Sequence, residues 1–261
     1  MRYLLIALLL VLSLFTNAQA QVVSPLAAGD SLRKASCHNG ALRRTALKVG
    51  VPVGLVGLAW LGHTQGNVVN TAKSDLQTRT QAAFPNFDAN GLDDYSRHAP
   101  LAMAYAMMAT GRRGERTPLA FTLIYVMAHE LDGAVVSNLK RETAIARPFD
   151  PNSLTSFPSS HTSQAFLTAT LLHEQYGREY PWLSVSGYAV ATATGALRVL
   201  GNRHWVNDVL AGGAIGFLSA EAAWHVFPLL TKLMPEKVGQ KLLLVPTYLP
   251  GGAGIALAFQ P

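Results

Sequence analysis

The sequence predicts an all-α fold, a bundle of helices with a short β-hairpin-like tail at its C-terminus. Three observations lead there. Apolar residues make up 49% of the 261 residues and charged residues only 14%, enough apolar surface for one large core. From Ala41 onward, helix-forming runs are separated by short stretches of Gly, Pro and N-capping residues. Only at Lys241–Pro261 does the pattern change, to two short extended runs around Pro250-Gly251-Gly252-Ala253-Gly254.

Residues 1–20 have the layout of a secretory signal peptide. Arg2 precedes an apolar run, Tyr3 to Phe15, and Ala18-Gln19-Ala20 forms a small-x-small cleavage site. Residues 21–40 are mixed and polar, an irregular leader; 41–232 form the helical domain and 233–261 the tail. Val49 to Gly62 is apolar, and Asn67 to Ala83 amphipathic and polar. Asp93-Asp94 is placed to cap a helix running to Thr110, with Met103, Met107 and Met108 facing the core. Gly111 to Thr117 is a charged turn. Thr117-Pro118 gives an N-cap and a proline at the first helical position, opening a helix that runs to about Ala146 and stops near Pro148. The next helix starts near Ser160 and ends at Gly177, read as a left-handed terminator. Another follows from Pro181 to near Gly201. The last runs from about Asn202 to Leu230, and its Gly212-Gly213-Ala214-Ile215-Gly216 run permits close helix contact.

The apolar runs at 49–62, 118–128, 186–197 and 209–220 are each shorter than the ~20 residues of a membrane span. They suggest a buried bundle docked on a membrane, with true spans as the alternative. The net charge of +6 favours anionic partners such as phosphoesters and lipid headgroups. No long basic run or basic-aromatic array is present, so nucleic acid is not an expected partner. Cys37 is the single cysteine, which excludes an intrachain disulfide although the export signal implies an oxidising compartment.

Three clusters carry the chemistry. Lys140 and Arg147 are seven apart, two turns if helical, so both can project from one face. Two cations on one face repel unless an anion lies between them. Pro158-Ser159-Ser160-His161 opens a helix, whose first N–H groups have no internal partner and suit a phosphate. His161 in that first turn can pass a proton to a leaving oxygen. His204 and Asp208 are four apart, so the carboxylate can orient one imidazole nitrogen and leave the other as a nucleophile. Arg198 can fold back towards His204 across the Gly201-Asn202 break, whereas Arg203 should point elsewhere. The first two clusters have an ordinary reading as well: two solvated surface charges, and a plain serine N-cap with an incidental histidine.

In this order, Lys-x6-Arg-Pro, Pro-Ser-x-His and Arg-x5-His-x3-Asp resemble the type 2 phosphatidic acid phosphatase (PAP2) / vanadium haloperoxidase superfamily, over roughly Leu47 to Leu230. The resemblance implies that superfamily's helical bundle and a metal-independent phosphatase that needs no cofactor. His204 would attack phosphorus, Asp208 orient it, and His161 protonate the leaving oxygen. Lys140, Arg147 and Arg198 would bind the phosphoryl oxygens, with the Ser159 and Ser160 amides alongside. The implied substrate is a phosphorylated lipid such as phosphatidate, phosphatidylglycerophosphate or undecaprenyl diphosphate. The implied place is the periplasm or a membrane, with the site on the periplasmic side. A soluble non-specific acid phosphatase, a vanadate-dependent haloperoxidase and a silenced scaffold bundle are the other readings. Two residues depart from the family pattern. Ser160 stands where glycine is usual, tolerable unless φ is positive, and Leu197 replaces a serine before Arg198.

Overall fold

The structure is a computed structural model that describes residues 31–64, 66–233, 242–249 and 252–259, with side chains over 46–64 and 66–232. The signal-like segment 1–20, the leader to residue 30 and the Cys37 thiol lie outside the described residues. Eight helices are described: α1 (Ser31–Leu61), α2 (Val68–Ala83), α3 (Leu92–Ser96), α4 (Ala99–Ala109), α5 (Pro118–Thr143), α6 (Ser160–Tyr176), α7 (Pro181–Leu200) and α8 (Val206–Leu233). At the tail, β1 (Leu242–Leu249) pairs antiparallel with β2 (Gly252–Phe259), Leu242 opposite Phe259.

Helix boundaries follow local chemistry. Asn67 caps α2, its side-chain oxygen accepting from the Asn70 N–H at 2.7 Å. Thr117 caps α5 by accepting from the Ala120 N–H at 3.3 Å, with Pro118 behind it. Four expectations need correction. The helix expected from Asp93 to Thr110 is two helices, α3 and α4, because Pro100 has no N–H to donate to the Ser96 carbonyl and the ladder breaks there. α5 ends at Thr143, where Ala144 turns left-handed at φ 46°, so Arg147 lies beyond the helix. α8 begins at Val206 rather than Asn202, because Asn202 itself is left-handed at φ 56°. α1 starts at Ser31, within the segment expected to be irregular.

Gly177 also ends α6 for a different reason than expected. Its φ is −63°, and a side chain there would meet His173 and Ser184 atoms at 2.5 Å. Space, not backbone handedness, demands glycine.

α6 is the central helix, buried on most of its surface. Leu167, Leu171, Leu172 and Tyr176 pack with Phe121 and Ile124 of α5 and Trp224 of α8; each large side chain so buried contributes ~1.5–3 kcal/mol of transfer free energy. Met103, Met107 and Met108 pack against this core, as their spacing predicts. α8 lies very close to α6. A Cβ at Gly216 would fall 1.9 Å from the Ser163 carbonyl oxygen, and one at Gly212 would fall 2.5 Å from that of Ser159. The short α6–α7 and α7–α8 links make these helices antiparallel. The start of α6, the end of α7 and the start of α8 therefore share one end of the bundle, and the 144–159 loop brings the end of α5 to it.

Among the described residues, three helices are long and apolar enough to cross a membrane: Pro118–Thr143, Pro181–Leu200 and Val206–Lys232, of 26, 20 and 27 residues. The apolar runs looked short in sequence because polar residues such as Asp132 interrupt them. In the fold Asp132 is buried and accepts from Ser163 Oγ, so of the two acidic residues midway along α5 only Glu130 reaches the outer faces. Leu119, Val126, Trp182 and Val185 are exposed on those faces.

Candidate active site

The expected residues gather at that shared end. Lys140, in the last turn of α5, donates to the Thr155 carbonyl at 2.5 Å. Arg147, in the loop, has its backbone N–H on the Ser153 carbonyl at 3.1 Å and a buried Nε with no hydrogen-bond partner. Burial first, then repulsion from Arg198 and Arg203, lowers its pKa below the usual guanidinium value. Lys140 and Arg147 thus converge through a chain reversal, not through one helical face. Arg203 stacks over Phe149 at 5.1 Å, and the exposed Arg141 bonds Asn138.

Ser159 is the N-cap of α6 and fully buried; its N–H donates to the Asp208 carbonyl at 3.0 Å. Its hydroxyl accepts from Thr162 Oγ1 at 3.0 Å. Ser160 opens the helix without a positive φ, so a serine fits where glycine is usual. Leu197 offers no hydroxyl; its carbonyl accepts the Gly201 N–H that closes α7.

Arg198 is 8% exposed. Its Nη1 is ion-paired with Asp93 Oδ2, and its buried Nε has no hydrogen-bond partner. His161 Nε2 sits 2.6 Å from Asp94 Oδ1. Burial lowers the His161 pKa most; Asp94 opposes this, while Arg198 and Arg97 add to it. Asp93 and Asp94 therefore do more than cap a helix: Asp93 is buried on Arg198, and Asp94, still exposed to solvent, pairs with His161. With His161 they bring ligand atoms within 4.8 Å of one another, but Arg198 and His161 already engage them.

His204 is 2% exposed and lies in the turn before α8 rather than on it. Its backbone N–H donates to the Arg198 carbonyl at 3.2 Å, which ties the two side chains to one turn. Its Nδ1 is 3.4 Å from Asp208 Oδ2, an ion-pair distance without an aligned hydrogen bond. Burial drives its pKa down to about 4; Asp208 pulls it up, and Lys140 and Arg198 push it down. The ring is thus neutral near pH 7, with Nε2 turned from the carboxylate.

Asp208 has no exposed surface. Its Oδ2 accepts from Ser156 Oγ at 2.5 Å and from the Trp205 N–H at 2.9 Å. Its Oδ1 is 2.9 Å from Nε2 of His63. Sequence reasoning missed Ser156 and His63. Ser156 stands just before the Phe157-Pro158 pair that opens the second cluster. His63 has no motif spacing, only its position at the end of an apolar run.

Residues 121–232 match the model of the PAP2 superfamily. Lipid A 1-phosphatase of Porphyromonas gingivalis is 37% identical over 140 residues, covering 53% of this chain and 31% of the relative. The chain thus spans about a third of that relative's length. Two solved structures are similar at low identity. One is the first transmembrane PAP2 type phosphatidylglycerolphosphate phosphatase from Bacillus subtilis, with TM-score 0.48, 19% identity, and 73% of this chain and 99% of that one covered. The other is Aquifex aeolicus LpxE, with TM-score 0.40, 18% identity, and 64% and 93% covered.

Proposed function

Residues 121–232 belong to the PAP2 superfamily, and on that premise we propose that the chain is a phosphatase of lipid phosphates, embedded in a membrane. The observation that supports this most is the crowding of Lys140, Arg147 and Arg198 around a buried, neutral His204. Like charges so placed repel, and a phosphate with about two negative charges at neutral pH removes that cost.

In this reading His204 Nε2 attacks phosphorus while the bond to the leaving oxygen breaks. Doubly protonated His161 gives that oxygen its proton. A phosphohistidine results, with Asp208 balancing the charge on the ring. Water then attacks phosphorus, neutral His161 takes a proton from it, and the P–N bond breaks to release phosphate. Lys140, Arg147, Arg198 and the helix-start amide of Ser160 hold the phosphoryl oxygens throughout, whereas the Ser159 amide, expected alongside them, is already taken by the Asp208 carbonyl. Preorganised positive charge and positioning are what phosphoryl transfer needs, and side-chain cations supply the charge here without a metal.

The layout of residues 1–20 as an export signal supports a site on the periplasmic face. The activity of the Porphyromonas gingivalis relative adds lipid A 1-phosphate to the phosphatidate, phosphatidylglycerophosphate and undecaprenyl diphosphate classes.

The test is phosphate release by the purified full chain in detergent from these four lipids and from para-nitrophenyl phosphate. Release from at least one lipid is expected. Release from none overturns the reading. Faster turnover of the soluble ester without detergent replaces it with a non-specific acid phosphatase.

A further inference from the structure

Building on the phosphatase reading, we propose that His63 is a positioning residue for the catalytic pair, closing a Lys73–His63–Asp208–His204 relay whose first two members lie outside the matched segment 121–232. His63 follows α1, and its side chain is 5% exposed. Its Nε2 lies 2.9 Å from Asp208 Oδ1, with the ring N–H off the line between them, so the contact is at ion-pair distance. Its Nδ1 is 3.2 Å from Lys73 Nζ on α2. An ammonium has hydrogens but no free lone pair, so Nδ1 must accept and the ring proton sits on Nε2, facing the carboxylate.

The placement is built rather than incidental. The His63 ring stands edge-on to Phe157, centroids 5.3 Å apart. Lys73 is 7% exposed and lies over the Trp205 ring at 4.5 Å, beside His204 in the chain. Asn207 Nδ2 donates to the Ala59 carbonyl at 3.1 Å, and a Cβ at Gly62 would fall 1.8 Å from that nitrogen. The α1–α2 turn is thus fitted against the turn that carries His204 and Asp208.

The relay has a chemical consequence. Ser156 and the Trp205 N–H occupy one oxygen of Asp208, and among the described residues His63 is what faces the other. A carboxylate shared between two imidazoles is fixed in rotation and draws less strongly on either. The other charges facing the pair are Lys140 and Arg198 at His204, and Arg147 and Lys73 around Asp208. Without His63 the carboxylate's charge is concentrated on His204, which raises that ring's pKa.

The experiment compares His63→Gln, whose amide nitrogen can take the place of Nε2, with His63→Asn, whose shorter amide falls short of Asp208. Two readouts are taken in detergent: kcat and KM for the best substrate, and the titration midpoint of His204 by NMR of Cε1-labelled histidine. The Asn variant should lose about tenfold in kcat with KM within about twofold, and its His204 midpoint should rise. The Gln variant should stay near wild type in both. Indistinguishable Gln and Asn variants, or an unmoved midpoint in Asn, overturn the relay. Should Asn not fold, Lys73→Met reads the relay from its far end and must also move the midpoint. The midpoint does not depend on turnover, so a wild-type protein that hydrolyses nothing sinks the phosphatase reading while the relay is still decided.

Discussion

Asp93→Asn isolates what its carboxylate contributes at Arg198. The Arg198 and Asp93 side chains are 10% and 9% exposed, and they are ion-paired. Removing the carboxylate leaves a buried guanidinium with two cationic neighbours and no counter-ion. Breaking one partner of a buried pair costs about 3–5 kcal/mol. For a protein of this size that lowers the unfolding temperature by roughly 6–20 °C. An oxyanion in the phosphate cradle restores the missing charge. Vanadate at about 100 times the wild-type dissociation constant adds ~2.7 kcal/mol to the wild type, and more at that same concentration to a variant that binds it more tightly. The variant, having lost the carboxylate that competes for Arg198, should bind vanadate more tightly and regain more than wild type does. The assay is thermal unfolding in detergent, with and without vanadate, for both proteins. Equal gains from vanadate would refute the reasoning, because Arg198 would then not face the anion.

Further outcomes follow from the same geometry. Because the His204 pKa is about 4, the acid limb of kcat/KM should lie near pH 4, below which the nucleophile is protonated. The alkaline limb belongs to His161, held below its ordinary 6.5 chiefly by burial, and activity falls as pH rises through that lowered pKa. Asp94 stabilises the doubly protonated ring, so Asp94→Asn should move the alkaline limb to lower pH; an unmoved limb removes Asp94 from the account. Gly216→Ala should cost about 1–3 kcal/mol or more, read as a lowered unfolding temperature, because its methyl meets the Ser163 carbonyl. Ser160→Gly should leave kcat within about twofold, since Ser160 needs no positive φ, as steady-state kinetics would check.

Much of the fold was legible because helices are delimited by chemistry written locally. Thr117-Pro118, Pro181 and the Gly201-Asn202 break stand at or beside observed boundaries. Where a boundary depends on the backbone of one ordinary residue, as with Ala144, the sequence carried no signal. The three clusters were legible as charge and imidazole in a fixed order. Their convergence was argued from the wrong local geometry, since Arg147 and His204 sit in turns rather than on helices. Asp93 and Asp94 read as capping residues because their partners, Arg198 and His161, lie far along the chain. His63 illustrates the limit most sharply: a lone histidine becomes meaningful only when folding sets it beside Asp208. Helices long and apolar enough to cross a membrane were hidden for a related reason, because polar residues such as the buried Asp132 interrupt the apolar runs.

The central claim is that His204 takes up the phosphoryl group within the cradle formed by Lys140, Arg147 and Arg198. Rapid acid-free quenching of the chain with a substrate labelled in its phosphate, followed by peptide mapping, tests it most directly. The account predicts acid-labile, base-stable label on His204, absent from His204→Ala. Label on another residue, or phosphate release by His204→Ala at an undiminished rate, would contradict it.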